Sequence, residues 1–181
     1  MALRHADPAR DGADCAEIYA PAVNDGATSF EEPPAPDAAA MAARIAATSR
    51  THPWLVIEDG GRVVAYAYAA PHHERAAYRW AATVSVFVDP DHRRRGAGRR
   101  LYLALFELMR AQGLRIAVAA ITLPNEASIA LHRSVGFEPV GTYRRIGWKA
   151  GAWRDVSWWE LRLGPDDDGR PADPGPPRRL A

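Results

Sequence analysis

The feature that most constrains the fold is the stretch from residue 83 to residue 121, which has the pattern of a strand, a loop, a helix and a second strand. Its first segment, "TVSVFV", alternates valine with other residue types and so predicts a strand with two different faces. The loop "DHRRRGAGRR" follows, and "RLYLALFELMRAQG" then carries leucines at helical spacing before a closing Gly113. Together with the apolar run "RIAVAAI", the stretch predicts a βαβ crossover.

The segments on either side predict further short strands and helices. "ALRHA" has the length of an opening strand, Asp11 is placed to cap a first helix, and Asp37 is placed to cap a second. "WLVIEDGGRVVAYAYAA" predicts a hairpin, because the glycines after Asp59 accept the positive φ of a tight turn. Asn125 is placed to cap a short helix, and "GTYRRIGW" and "DVSWWELRL" predict the last strands. The order β-α-α-β-β-β-α-β-α-β-β indicates an α+β (mixed α/β) fold.

Length and composition bound the domain organisation. A chain of 181 residues with 48% hydrophobic residues predicts one domain, over residues 1–163. Residues 164–181 are rich in proline, glycine and charge, and we expect a flexible tail because little apolar area offsets its ordering entropy. Cys15 is the only cysteine, which excludes an internal disulfide and a cysteine-rich metal site. No run is apolar enough for a signal peptide or a membrane span, so we expect a soluble cytoplasmic protein.

The arginine-glycine loop predicts an anion-binding site, since it opens a helix directly after a strand, where backbone N–H groups are free. A dinucleotide fingerprint would need a small residue near Leu101, and a Walker loop would end in Gly-Lys-Ser/Thr; neither pattern is present. The remaining pattern, Arg93, Gly96 and Gly98, lets the main chain close around a pyrophosphate. A solvated basic turn is the alternative.

At this point the sequence resembles the GNAT acyltransferase superfamily and, within it, the phosphinothricin acetyltransferase branch. The matching segments are "IYAPAVNDGATSFEE", "HPWLVIEDGGRVVAYAYAAP", "AYRW", "SVFVDPDHRRRGAGRRLY", "ITLPNEASIALHRSVGF" and "GWKAGAWRDVSWWEL". The resemblance implies a central mixed, mostly antiparallel twisted sheet, splayed open where CoA lies and flanked by helices. It also implies acetyl transfer from acetyl-CoA to the primary amine of a small amino-acid-like acceptor, by direct attack in a ternary complex.

The resemblance implies a set of cofactor-binding residues. The strand before the loop presents backbone groups to the pantetheine arm and the acetyl carbonyl, and the loop binds the pyrophosphate through its amides and arginines. Asn125 and Ser128 are expected to contact CoA from the next helix. The cofactor-binding residues are therefore predicted to be Val86, Phe87, Val88, Arg93, Arg94, Arg95, Gly96, Ala97, Gly98, Arg99, Asn125 and Ser128.

Two further residues match the family's catalytic positions. His132 lies seven positions after Asn125, where the branch has a histidine, and it is the first choice for a catalytic proton carrier. Thr83 stands where the branch carries a glutamate taken as the general base, and threonine cannot accept a proton at neutral pH. Waters held by Thr83 and Ser85, the carboxylate of Glu31, or His132 itself remain as alternative proton acceptors.

Acceptor binding is assigned to four residues by resemblance. Phe30 matches an aromatic residue of the family's acceptor pocket, Glu31 follows it, and Arg75 and Tyr78 match a motif that meets the acceptor's anionic end. His72 and His73 have no third ligand at suitable spacing, so no metal site is predicted.

Beyond the acceptor, the resemblance implies a homodimer, and it implies no membrane partner. The tryptophans near the C-terminus are expected to build core and a subunit contact: Trp148, Trp153, Trp158 and Trp159.

Three hypotheses remain at the level of sequence. The first is an acetyl-CoA-dependent N-acetyltransferase acting on an acceptor of the phosphinothricin or methionine sulfoximine/sulfone type. The second is a CoA-binding protein of the same fold with weak or no catalysis, which Thr83 suggests. The third is a nucleic-acid-binding module; a formal net charge of only +1 argues against it, because the arginine cluster is local.

Overall fold

The computed structural model describes residues 1–165 and 169–180 and contains seven strands and four α-helices in these ranges. The strands are β1 (Ala2–His5), β2 (Trp54–Asp59), β3 (Arg62–Pro71), β4 (Ala81–Val88), β5 (Ile116–Thr122), β6 (Glu138–Lys149) and β7 (Ala152–Arg162). The helices are α1 (Pro8–Asn24), α2 (Ala38–Ser49), α3 (Ala97–Gln112) and α4 (Glu126–Ser134). This is the predicted order of elements. None of the helices in these ranges is both long and apolar enough to cross a bilayer.

All seven strands form one sheet in the order β1-β2-β3-β4-β5-β7-β6. Every neighbouring pair is antiparallel except β4 and β5, which are parallel and joined through α3. The predicted fold class, a mixed and mostly antiparallel sheet flanked by helices, is therefore confirmed, and so is the βαβ crossover.

The sheet opens between its two parallel strands. Pairing of β4 with β5 runs from Ala81↔Ile116 to Thr83↔Val118 and ends there. The remainder of β4, residues 84–88, pairs only with β3 on its other side. β4 and β5 therefore separate beyond Thr83, which lies at the apex of the opening.

The two faces of the sheet carry separate hydrophobic clusters, as the alternation in β4 predicts. Val84 packs in the cluster under α3, together with Leu101 and Leu105. Phe87 packs on the other face, against the cluster that α1 and α2 form, and its ring lies 4.9 Å from that of Tyr19. Residues 83, 85 and 87 of β4 thus face α1 and α2, whereas the alternating valines face α3.

The predicted cap of the first helix was wrong. Helix α1 begins at Pro8, and Asp7 is its N-cap, accepting hydrogen bonds from the N–H groups of Ala9 and Arg10. The helix starts earlier than predicted because proline is favoured in its first turn, where no N–H partner is needed. Asp11 lies inside the helix, 1% exposed, and accepts two 2.7 Å hydrogen bonds from the Arg4 guanidinium.

Part of the C-terminal segment lies against the domain. Trp80 Nε1 donates to the carbonyl of Ala172 (2.9 Å), and the Gly175 N–H donates to the carbonyl of Gln112 (2.8 Å). A cavity of about 460 Å³ lies between this segment and the domain. The flexibility expected of residues 164–181 stays a prediction, and within that range residues 166–168 and 181 lie outside the described residues.

The Arg4–Asp11 pair predicts a pH-dependent contribution to stability. Burial alone would raise the pKa of Asp11, but hydrogen bonds from Arg4 and from the Asp7 amide outweigh it and lower the pKa. Since the folded pKa lies below the unfolded one, this stabilisation is present above the unfolded pKa and is lost as the pH falls through the folded pKa. Asp11→Asn should therefore lose about 1.5 to 3 kcal/mol at pH 7 and become less sensitive to acid.

Urea unfolding from pH 7 down to pH 3 measures both effects. Asp25→Asn is the matched control, because Asp25 lies exposed at the other end of α1 and its side chain has no hydrogen-bond partner among the described residues. An Asp11→Asn variant as stable at pH 7 as the unmodified chain would contradict the assignment.

Candidate active site

The helix α3 begins with an uncapped N-terminus at the end of the open strand. Its N-cap is Gly96 in the left-handed conformation (φ 80°), and no side chain accepts from its first N–H groups. A Cβ at Gly98 would lie 3.1 Å from Leu131 Cδ2 and 3.7 Å from the Val86 and Val88 methyl groups. The helix therefore packs closely against both β4 and α4, and its free N–H groups point out of the core at that edge.

The arginines around this N-terminus are not neutralised by the described residues. Arg94, Arg95 and Arg99 are exposed and make no hydrogen bond or ion pair with the described part of the chain. Among the described residues, the Arg93 guanidinium donates a hydrogen bond only to the carbonyl of Val88, at 3.5 Å. Because the helix dipole is positive at the same place, the region has a positive electrostatic potential.

A second helix N-terminus lies on the other side of the opening. Helix α4 follows β5, and Asn125 caps it by accepting a 3.1 Å hydrogen bond from the Ser128 N–H, which confirms the predicted cap. Because β4 and β5 are parallel, their C-terminal ends, and so the starts of α3 and α4, lie at the same edge of the sheet. The structure therefore brings the predicted residues of both helices to the two sides of one opening.

His132 is buried under α3, with 3% of its surface exposed. Its Nδ1 lies 2.7 Å from the carbonyl oxygen of Ser128, and its Nε2 lies 3.1 Å from the hydroxyl of Tyr102. Burial lowers the pKa of His132, and the backbone acceptor at Ser128 acts in the opposite direction. With Nδ1–H donating to Ser128, Nε2 accepts from Tyr102, so any proton that His132 exchanges at Nε2 passes through the Tyr102 hydroxyl.

Tyr102 is a contact that sequence reasoning missed. It is almost fully buried against Phe106 and Phe137, and burial raises the pKa of its hydroxyl. Its position in the leucine-rich helix predicts only a core residue, and no local pattern links it to His132.

Thr83, at the apex of the opening, contacts a histidine from the neighbouring strand. Its Oγ1 lies 3.1 Å from Nδ1 of His72, which follows β3 directly. The His72 ring is half-buried and lies 6.2 Å from Trp158 and 5.9 Å from Tyr78, centroid to centroid. Sequence reasoning considered His72 only as a metal ligand, because the pairing of β3 with β4 that joins these side chains is not visible in local spacing.

Glu31 is held in an ion pair on the acceptor side. Its two carboxylate oxygens accept from the Arg44 guanidinium at 2.7 and 2.9 Å, and one of them also accepts from the Tyr19 hydroxyl at 3.0 Å. The Arg44 hydrogen bonds lower the pKa of Glu31 against the opposing effect of burial, and Tyr19 adds to the lowering. Glu31 is thus a fixed anion that anchors its loop.

A cavity of about 280 Å³ lies on the α1–α2 side of the sheet, next to β5. Its lining residues are Thr28, Phe30, Ala120, Thr122, Tyr143, Ile146, Val156 and Trp158. Phe30 thus lies in a cavity wall, whereas Arg75 and Tyr78 lie outside the lining, exposed on the connection between β3 and β4. None of the lining side chains is charged, so the cavity suits the uncharged part of a small molecule.

Lys149 ties the loop that carries Phe30 to the end of β6. It is the single lysine of the sequence and is 4% exposed. Its Nζ donates to the carbonyl of Val23 at 2.8 Å and to the carbonyl of Glu31. Phe30 itself packs directly over Gly147 of the same strand, where a Cβ would overlap the ring. No sequence pattern singled out this lysine.

Comparison with known proteins connects these features to one family. The profile of the acetyltransferase (GNAT) family matches residues 15–137. The chain is 42% identical over 127 residues to phosphinothricin N-acetyltransferase of Streptomyces viridochromogenes, covering 70% of this chain and 67% of that protein. It is 38% identical over 149 residues to the L-methionine sulfoximine/L-methionine sulfone acetyltransferase of Pseudomonas paraeruginosa, covering 82% and 87% of the two chains.

A solved structure has the same fold. It is a GNAT superfamily phosphinothricin acetyltransferase from Sinorhizobium meliloti in complex with acetyl-CoA. It superposes with a TM-score of 0.88 at 35% identity, covering 94% of this chain and 92% of that one.

The contacts of Lys149 lead to a prediction about the loop. Lys149→Met should leave the two carbonyls without their donor and lower the free energy of unfolding by about 1 to 3 kcal/mol. Hydrogen exchange of residues 24–36 should become faster, because the loop loses its attachment to β6.

Arg144→Met is the control, since Arg144 is exposed on the same strand and has no partner among the described residues. If both variants exchanged alike and unfolded at the same urea concentration, Lys149 would not hold the loop.

Proposed function

We propose that this chain, which belongs to the acetyltransferase (GNAT) family, transfers the acetyl group of acetyl-CoA to the primary amine of a small amino-acid-like acceptor. The relatives named above support an acceptor of the phosphinothricin or methionine sulfoximine/sulfone type. The acceptor attacks the thioester directly while both substrates are bound.

The observation that carries the proposal is the uncapped N-terminus of α3 at the end of an open strand. A CoA molecule needs a binding site for its pyrophosphate and an extended groove for its pantetheine arm. The unneutralised Arg94 and Arg99 flank the free N–H groups of α3, and residues 84–88 of β4 have no partner strand on the side of the opening. Gly98 lets the start of α3 pack close to the end of β4, so the proposed pyrophosphate site and the proposed pantetheine groove adjoin each other.

The opposite side of the opening supplies the remaining cofactor contacts. Asn125 and Ser128 start the helix after β5 and face the same edge as α3, so they are placed to border the cofactor from that side. His132 follows on the same helix, and its contact with Tyr102 connects it to α3. In the proposal the departing thiolate receives its proton through this His132–Tyr102 pair.

The acceptor enters from the other face of the sheet. The cavity bounded by Phe30 and Trp158 takes its uncharged part, and a cation must meet its anionic end because a buried unpaired anion is costly. Arg75 is the proposed cation, since its guanidinium has no partner among the described residues and it lies beside Tyr78 in the β3–β4 connection.

Binding of acetyl-CoA tests the proposal and its alternatives. At a hundredfold excess over its Kd, acetyl-CoA should stabilise the chain by about 2.7 kcal/mol, and thiol release should follow on adding phosphinothricin or methionine sulfoximine. Arg94→Gln with Arg99→Gln should raise the acetyl-CoA Kd at least tenfold, because each arginine provides a charge-assisted bond worth about 1.5 to 3 kcal/mol.

Arg178→Gln is the matched control, an exposed arginine of the C-terminal segment away from the loop. Stabilisation without thiol release from any amine would favour the CoA-binding protein without catalysis. Stabilisation by an oligonucleotide and not by acetyl-CoA would favour the nucleic-acid module and reject the proposal.

We also propose that the chain forms a homodimer through β6 and the start of β7. β6 is an edge strand, and this hairpin exposes large apolar side chains: Val140, Tyr143, Ile146, Trp148 and Trp153. Val140 is 63% exposed and Trp148 is 58% exposed. Burying such an apolar surface against a second copy of the chain is favourable, and the edge strand offers unpaired backbone groups beside it. Trp159, by contrast, is buried in the core.

Light scattering after size exclusion tests the dimer. The unmodified chain should elute at twice its 19.8 kDa mass, and Ile146→Glu with Trp148→Glu should shift it to the monomer, because charges resist burial in the interface. Leu103→Glu, at an exposed leucine of α3, should leave the dimer intact. A monomeric unmodified chain at tens of micromolar would reject this interface.

A further inference from the structure

We propose that His72 takes the proton from the acceptor's ammonium group and that Thr83 is the positioning residue that orients it. The inference rests on the acetyl transfer proposed above. It answers the question that the sequence raised, since Thr83 occupies the position where the resembling family has a glutamate.

The geometry places the two side chains at the point where the reaction must occur. Thr83 is the last residue of β4 that pairs with β5, so it lies at the apex of the opening. His72 emerges from the neighbouring strand β3, and its N–H contacts the carbonyl of Ala81 at 3.4 Å, which keeps its backbone next to β4. Its Nδ1 then lies 3.1 Å from Thr83 Oγ1.

This contact orients the His72 ring, and in the proposal its Nδ1–H is the donor to Thr83 Oγ1. A base must present an unprotonated nitrogen, and Nε2 is the ring nitrogen that is not engaged by Thr83. If Nδ1–H donates to Thr83 Oγ1, then Nε2 carries the free lone pair, and the ring orientation is fixed as well. Threonine thus takes part in proton transfer without accepting a proton itself.

His72 also borders the acceptor side. Its ring lies edge-on to Trp158, which lines the 280 Å³ cavity, and faces the exposed Tyr78 on its other flank. Because Thr83 belongs to the row of β4 side chains that face α1 and α2, the pair lies on the same face of the sheet as the cavity. An amine bound with its uncharged part in the cavity therefore approaches the opening from the side of His72.

The other titratable groups on this face are less suited to accept the proton. Glu31 is committed to Arg44 by two hydrogen bonds. Val118 of β5 pairs with Thr83 on one side and with Glu160 of β7 on the other, so a whole strand separates Glu160 from Thr83. The Glu160 carboxylate also lies 4.0 Å from the Arg162 guanidinium. His73 and Tyr78, beside His72, are exposed and do not contact Thr83.

In the proposal, His132 supplies the proton for the thiolate, and it lies on the opposite face of the sheet from His72. It packs with Tyr102 and Phe137 in the cluster under α3, whereas His72 lies on the α1–α2 side. The opening between β4 and β5 is where the two faces communicate. Two different groups therefore act on the two protons: His72 takes one from the amine, and His132 gives one to the thiolate.

The proton balance of the step is complete. His72 Nε2 takes one proton from the ammonium, and the nitrogen lone pair that this releases forms a bond to the thioester carbonyl carbon. The C–S bond then breaks with its electron pair on sulfur. After releasing the first proton to solvent, His72 takes a second from the nitrogen, and the third stays on the amide. The thiolate gains a proton from the His132–Tyr102 pair, and solvent returns one proton to that pair. The net release is one proton per turnover.

The test is the pH profile of kcat/KM for the acceptor. In the unmodified enzyme, kcat/KM should level off at a pH below the pKa of the acceptor's amine, since unprotonated His72 acts on the ammonium form of the acceptor. His72→Gln should lower kcat/KM at pH 7 by about 100-fold or more, and its rate should keep rising up to the pKa of the acceptor's amine, because only the free amine then reacts. The acetyl-CoA Kd should stay unchanged, which also shows that the variant is folded.

Two further variants separate positioning from structure. Thr83→Ser retains the hydroxyl and should keep the plateau of kcat/KM against pH. Thr83→Val has nearly the same shape but no hydroxyl, so it should lose the plateau and lower kcat/KM about tenfold. Added imidazole should restore turnover to His72→Ala. Glu74→Gln, at an exposed residue of the same connection whose side chain has no partner among the described residues, is the matched control and should retain the profile of the unmodified enzyme.

The outcomes that overturn the inference are distinct from failure of the proposed function. If the unmodified chain releases thiol with an amine and His72→Gln keeps both its rate and its plateau, His72 is not the base. The same conclusion follows if Glu160→Gln, and not His72→Gln, abolishes the plateau. If the unmodified chain releases no thiol with any amine, the proposed acetyl transfer is rejected, and the role of His72 is rejected with it.

Discussion

Hydrogen bonding between β4 and β5 stops after the Thr83–Val118 pair, and the rest of the structure is arranged around that gap. A strand that loses its neighbour leaves backbone groups without partners, and such groups need water or a ligand. Because the two strands are parallel, the helices that follow them start at the same edge, and α3 starts there without a side-chain cap. The end of β4–β5 pairing thus leaves one side of β4 without a partner strand, next to a helix N-terminus whose N–H groups have no side-chain cap.

The two faces of the sheet differ in the titratable groups that they place near the opening. Under α3, His132 is buried with Tyr102, and burial lowers the pKa of the imidazole. On the α1–α2 face, Glu31 is neutralised by Arg44, and an uncharged cavity lies beside the half-buried His72. On the face with the cavity, the Glu31 carboxylate is therefore engaged by Arg44, whereas His72 contacts Thr83.

Much of the fold was predictable, because each element has a local signal. The hairpin turn after Asp59, the caps at Asp37 and Asn125 and the glycine after α3 were all placed correctly from residue type and spacing. Asp11 was misplaced because aspartate caps helices and also pairs with arginine, and only the partner, Arg4, distinguishes the two uses. The position of the arginine-glycine loop at a helix start was predictable for a similar reason, because glycines and arginines before a leucine-rich segment are a local pattern.

By itself, the sequence determined the order of strands and helices, the location of the arginine-glycine loop at a helix start, and the absence of a glutamate at residue 83, because these depend on neighbours in the chain. Only the tertiary structure decided that Thr83 meets His72, that His132 meets Tyr102 and that Lys149 holds the loop before Phe30. Those contacts join residues 11, 30 and 118 positions apart. Their distances are set by strand register and helix packing, which the whole core fixes together and no short segment encodes.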